Sequence, residues 1–271
     1  MLNDYVDEHG YLDLAKAILK SVGNLRLVGE TGTGKTRLVY ELAKVLNCSL
    51  YEIVLSQDTT RWDLLTCDTL VNGTTVQRDG LVLQWLKDTN KNGSICYIDG
   101  FNYAISSILS FLESISDFRG NVNVPELCKT FVRTEKHYLV ISYNPAEKSG
   151  YSGTHMCNIA TLRRFEGLEI QYLSAIKEID IIKGISNNYQ FSEKFVELAN
   201  KTREAYKTGK LRMPITTGNL INYAKMFLNG MCDDDLITVI SSMYGEEEKE
   251  TFNKFIEKNG ELEKLVSRRD A

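Results

Sequence analysis

The residues Gly29-Glu30-Thr31-Gly32-Thr33-Gly34-Lys35-Thr36 fill every defined position of the pattern G-x-x-x-x-G-K-[ST]. Each residue type serves the holding of a triphosphate. The glycines let the backbone curl so that successive amides face phosphate oxygens, and a helix opening at the end of the loop adds its positive dipole. Lys35 reaches the β- and γ-phosphates as a point charge, and the Thr36 hydroxyl can ligate Mg²⁺. Further along, Ser94-Ile95-Cys96-Tyr97-Ile98-Asp99 carries apolar residues into a carboxylate. Downstream of a phosphate loop, Asp99 is the residue expected to hold the same Mg²⁺. ATP and Mg²⁺ are therefore the expected cofactors.

Such a loop works only between a strand and a helix, and the flanking sequence supplies both. "LDLAKAIL" (12–19) has helical spacing with Gly23 as its stop, and "NLRLVG" is a short strand running into the loop. From Thr36 the spacing of Leu38, Val39, Leu42, Val45 and Leu46 puts them on one helical face. "SLYEIVL", "SICYID", "HYLVISYNP" and "GLEIQYL" read as further strands, while "GLVLQWLKDTN" and the run Ile105, Ile108, Leu109, Leu112 read as helices. Asn72-Gly73 marks one hairpin, and "NVNVPELCKTFV" a second, in which Pro125 belongs at an edge or a turn. Strands alternating with helices predict an α/β fold with a mainly parallel sheet. After Ser174 only helical spacing remains, as in Ile176, Ile179 and Ile182 or Leu220, Ala224, Phe227 and Leu228. The expected organisation is an α/β nucleotide-binding domain over 1–173 and a small all-α domain over 174–271.

The 271 residues are 43% hydrophobic, enough for about two domains, with a formal net charge of −4. No basic stripe is present, so nothing argues for a nucleic-acid partner. Six scattered cysteines without a Cys-x-x-Cys pair read as reduced thiols, with no pattern for a structural metal. An acidic start without an apolar signal core, and no apolar run near the length of a membrane span, lead to the expectation of a cytoplasmic protein without a membrane partner.

Several segments together resemble AAA+ ATPases, a branch of the P-loop NTPases, and within them the MoxR-like group that includes the CbbQ, NirQ, NorQ and GvpN proteins. These are "GETGTGKT"; "SQDTTRWDLL", which supplies Asp63, Leu64 and Leu65 but has Thr66 for the usual glycine; "DGFNYAISSILSFLE"; "LVISYNP"; and "TLRRFEGLEIQYL". The similarity covers about residues 12–173 and is weaker in the helical tail. It implies a three-layer AAA+ core followed by a helical lid. It also implies that Asn144 is sensor 1 near the γ-phosphate and that Arg164, with Arg163 as its rival, is the finger inserted into a neighbour's site. A finger acting in trans requires a ring, so the resemblance implies a hexamer, and the two hairpins fall where the group places insertions that face the pore or partners. By analogy, the ring would remodel or activate a client or adaptor protein, one with a von Willebrand A domain being the group's common companion.

Two positions depart from the group. Gly100 stands where the glutamate that orients the attacking water belongs, and Asn219 stands at the sensor-2 arginine. Neither touches the phosphate or Mg²⁺ grip, but loss of a water-positioning group costs roughly 10² to 10⁴ in rate. The competing reading is therefore an ATP-binding assembly or scaffold protein with weak or no hydrolysis. Glu30, or Asp63 with its loop folded inward, are weak substitutes for the missing carboxylate, a different ring subunit is another source, and Glu113 is too far along its helix. "TNKNGS" resembles a guanine-reading motif but has Gly93 in place of its aspartate, so it reads as a polar turn. His137 and His155 are expected as solvated loop residues, Cys96 and Cys157 as packed thiols, and Trp62 and Tyr97 as core.

Overall fold

The computed structural model describes residues 5–144 and 159–266; His155 and Cys157 lie outside them. Helix α1 (Tyr11–Val22) ends at Gly23, whose φ of 76° forms the left-handed cap, and β1 (Asn24–Val28) follows at once. The glycine loop separates β1 from α2 (Lys35–Leu46), and β2 (Ser49–Val54) comes next. A short α3 (Arg61–Leu65) leads into the hairpin β3 (Thr66–Val71) and β4 (Thr74–Asp79). Its turn residues Asn72 and Gly73 both have positive φ, as a two-residue hairpin turn requires. Then come α4 (Leu81–Leu86), β5 (Ser94–Asp99), α5 (Ser106–Ile115) and the hairpin β6 (Asn121–Val124) and β7 (Lys129–Val132), with Pro125 in the turn. β8 (His137–Tyr143), α6 (Ile159–Leu162) and β9 (Glu166–Glu169) complete the α/β portion. Helices alone follow: α7 (Ala175–Ser186), α8 (Tyr189–Lys207), α9 (Thr217–Leu228), α10 (Asp233–Ser241) and α11 (Glu246–Val266).

The main sheet has the order β2-β5-β8-β1-β9, with every pairing parallel. Its central strands β5 and β8 are buried along nearly their whole length because both faces of the sheet are covered there. Cys96, Ile98, Leu139 and Ile141 face α3, α4 and α5, whereas Ile95, Tyr97, Val140, Leu25 and Leu27 face α1 and α2. This period-two split produces three layers. A separate apolar cluster built on Phe191, Phe195, Leu220 and Phe252 holds the C-terminal helices together. The α/β class, the parallel core and the helical C-terminal region are as the sequence implied.

Four local expectations are corrected. Val45 is 46% exposed; Ala43 takes its place on the buried stripe with Leu38, Val39 and Leu42. Trp62 is 40% exposed, because α3 is too short to bury more than one side and turns Leu64 and Leu65 inward. Asp63 does not fold inward; it caps α3 in a reciprocal box with Thr60. His137 is a buried residue opening β8, its Nδ1 3.0 Å from the Thr134 amide and its ring edge-on to Trp85, and burial lowers its pKa. Among the described residues no helix is long and apolar enough to cross a membrane.

Candidate nucleotide site

Strand order brings the C-terminal ends of β5, β8 and β1 side by side. Asp99 pairs with Ser142, and Tyr143 with Val28. The crevice outside these ends, where the order of connection reverses, is where open parallel sheets bind ligands. A cavity of about 580 Å³ opens there, within the range of small-molecule sites. The loop residues 31–37, Asp99 and Asn144 form its polar floor, while Tyr5, Tyr11, Ile170, Leu173, Ile181 and Ile221 supply apolar and aromatic walls.

The loop owes its shape to its glycines. Gly32 and Gly34 have φ of 79° and 92°, and a Cβ at Gly29 would lie 2.3 Å from the Ile170 carbonyl oxygen. Gly34 starts α2 without a side-chain cap, so the first amides of that helix remain available for an anion. Lys35 folds back across the loop. Its Nζ donates to the carbonyls of Gly29 (2.8 Å) and Glu30 (2.9 Å) and to Oδ1 of Asn144 (2.9 Å). Burial pushes its pKa down to about 8, against the opposing pull of the Asp99 and Glu30 charges. The Asn144 amide also donates to the Thr31 hydroxyl at 3.2 Å, so the tip of β8 grips the loop at two points.

Asp99 and Thr36 both border the cavity and are joined through Ser142 and Tyr97. Oδ1 of Asp99 accepts from the Gly100 amide (3.0 Å) and from the Ser142 hydroxyl. The Tyr97 hydroxyl lies 2.9 Å from Ser142 Oγ and 3.2 Å from Thr36 Oγ1. A carboxylate and a hydroxyl are hard oxygen donors, which suit Mg²⁺, and both residues border the cavity. The donor set and the glycine cradle fit a magnesium-bound triphosphate.

Gly100 has φ of 72°, and a Cβ there would lie 3.1 Å from the Tyr103 ring. The turn has the left-handed backbone that glycine adopts most readily. Neither Asp63 nor Glu113 replaces the missing carboxylate: Asp63 caps α3, and Glu113 accepts from the Thr161 hydroxyl at 2.5 Å. Arg164 does not border the cavity of its own chain; its guanidinium pairs with Asp117 at 2.6 Å, and Arg119 foremost, with Arg164, holds the Asp117 carboxyl well below the usual range. Arg163 is exposed.

The helical region closes one side of the cavity through Ile181, Thr217, Gly218 and Ile221. A Cβ at Gly32 would lie 2.3 Å from Cβ of Thr216, so the start of α9 packs directly on the loop. Asn219 is occupied as the partner of Thr216 in a capping box. Tyr172 donates from its hydroxyl to the Thr31 carbonyl (2.6 Å), and the Arg203 guanidinium lies over its ring at 4.0 Å. Arg203 makes a buried two-pronged pair with Glu178, at 2.7 and 2.9 Å, and Glu178 also accepts from the Thr217 hydroxyl.

Sequence reasoning missed Ser142, Tyr172, Arg203 and Thr217, and took Tyr97 for core alone. A signal existed for two of them. Tyr97 precedes Asp99 by two strand positions and Ser142 precedes Asn144 by two, so each shares the face of a site residue. Tyr172, Arg203 and Thr217 lie far apart in sequence and carry no such spacing.

The family model described as "AAA domain (dynein-related subfamily)" matches residues 24–165, just over half of the chain. An uncharacterized protein of Staphylococcus haemolyticus is 26% identical over 268 residues, covering 95% of this chain and 98% of its own. Another, from Staphylococcus aureus strain USA300, is 25% identical over 221 residues, covering 76% and 81%. A solved structure of a candidate ATPase from Cytophaga hutchinsonii aligns with a TM-score of 0.53 at 18% identity, covering 88% of this chain and 82% of that one, a likeness of fold.

Proposed function

The chain belongs to the AAA domain family, dynein-related subfamily, and on that premise we propose that it is a MoxR-like ATPase that binds and hydrolyses Mg-ATP. In this reading it works as an oligomeric ring, with a hexamer as the expected form, and uses the nucleotide to remodel or activate a partner protein. The residues 29–36 cradle the phosphates, and Lys35 exchanges its loop carbonyls for phosphate oxygens. Thr36 and Asp99 hold Mg²⁺, which when bound neutralises charge on the β- and γ-phosphates. Asn144, already hydrogen-bonded to Lys35 at 2.9 Å, senses the γ-phosphate through that contact, and this is the observation that carries the reading. Arg164 acts in a neighbour's site after leaving Asp117. The β3–β4 hairpin, with Leu70 75% exposed, is a surface for the partner; a von Willebrand A domain is the partner proposed by analogy.

One observation favours a second reading. Gly100 offers no side chain to orient an attacking water, and its φ of 72° is one that a glutamate would adopt only with strain, which fits an ATP-binding scaffold that hydrolyses weakly or not at all. Phosphate release by the wild type, measured beside Lys35→Ala and with calorimetric ATP binding, separates the two. Release well above the Lys35→Ala background supports the ATPase. Tight ATP binding with release equal to that background establishes the scaffold.

A further inference from the structure

The four oxygens beside the loop form a chain with a defined direction. Asp99 as a carboxylate only accepts, whereas each hydroxyl has a single proton to give. Ser142 gives its proton to Asp99 Oδ1. Its contact with Tyr97, 2.9 Å long, must then be donated by the phenol. The Tyr97 proton being used, the 3.2 Å contact between Tyr97 and Thr36 must be donated by Thr36. The Thr36 proton therefore points into the sheet, and an oxygen lone pair is left facing the cavity. Tyr97 and Ser142 are fully buried, so water does not compete for the contact between them. Asp99 spends Oδ1 on Ser142 and the Gly100 amide, and among the described residues Oδ2 has no hydrogen bond. Both ends of the chain thus present acceptor oxygen, which a cation requires and a randomly turning hydroxyl does not guarantee.

We propose that Tyr97 and Ser142 are positioning residues that fix the direction of the Thr36 hydroxyl and tie it to Asp99, so that the two oxygens act as one preformed half-shell for a divalent cation. The proposal rests on the reading of this cavity as a Mg-ATP site. Outer-shell partners of this kind typically govern about 10- to 100-fold in metal affinity. Loss of the chain should leave the phosphate cradle of residues 29–35 intact, because none of its contacts passes through Tyr97.

The test is calorimetric titration of the full chain with ATP, with and without Mg²⁺, for wild type, Tyr97→Phe, Ser142→Ala and Thr36→Ala. Wild type should bind more tightly with Mg²⁺. Tyr97→Phe should keep its magnesium-free affinity within about twofold but lose about tenfold of the Mg²⁺ enhancement. Ser142→Ala should lose at least as much, since the freed phenol proton can turn onto Thr36 and reverse its direction; it decides the matter if Tyr97→Phe does not fold. Wild-type Mg²⁺ enhancement in Ser142→Ala, or equal losses with and without Mg²⁺, overturns the proposal. ATP binding by wild type with no Mg²⁺ enhancement overturns it while the nucleotide site stands, and no ATP binding at all overturns both.

Discussion

Lys35 is the residue on which most of the site's chemistry converges. Its ammonium is nearly buried and satisfied by two carbonyls and Asn144, yet burial still holds its pKa at about 8. A depressed lysine pKa means that the folded chain favours the neutral amine above pH 8. Phosphate oxygens favour the charged form, so they raise that pKa when they arrive. Between about pH 8 and 10, binding should take up a proton, and affinity should fall by up to tenfold per pH unit above 8. Calorimetry in buffers of different ionisation enthalpy reads the uptake directly, and Lys35→Ala should abolish it. Thr36 and Asp99, by contrast, are linked to each other through Tyr97 and Ser142.

The elements that bear on the loop come from both portions of the chain. β1 and α2 build it, β5 and β8 deliver Asp99 and Asn144, and the start of α9 packs on Gly32. That last contact depends on α7 and α8, whose Glu178 and Arg203 form a buried pair with side chains 0% and 5% exposed. Removing one member of a buried pair strands the other charge. Glu178→Ala should therefore destabilise the chain by about 3–5 kcal/mol in urea unfolding. Replacing both members by apolar residues should recover most of that loss. Because Arg203 also covers Tyr172, whose hydroxyl holds the Thr31 carbonyl, the single variant should weaken ATP binding as well. Normal stability and normal affinity in Glu178→Ala would refute this coupling.

For the whole molecule, the arrangement of arginines bears on assembly. Arg164 is held by Asp117 away from its own chain's cavity, consistent with a role across an interface. If it acts in trans, Lys35→Ala chains lack a working cradle but keep the finger, and Arg164→Ala chains have the reverse defect. A mixture of the two should release phosphate faster than either alone, whereas each variant by itself should fall by about 10³-fold or more if the finger carries its usual weight. No gain on mixing, with mixed assemblies confirmed by mass, would remove Arg164 from that role and leave Arg163 as the candidate.

Much of this could be read from the sequence because it is local or periodic. The glycine loop, the alternation of strands and helices, the Asn72-Gly73 turn and the carboxylate ending β5 are each written within a few residues, since backbone conformation and face are set by near neighbours. The edges of that reading show where locality fails. Trp62 and His137 exchange their expected environments because burial depends on what packs opposite, and Val45 leaves the stripe because α2 has only one covered side. The hydroxyl chain from Thr36 to Asp99, the clasp of Lys35 by Asn144, and the Glu178–Arg203–Tyr172 link join residues from strands and helices remote in sequence. The order of residues alone determines which groups are available to grip a triphosphate. Distances, burial and the direction of each proton follow from strand order and layer packing, which bring those groups together only once the chain has folded.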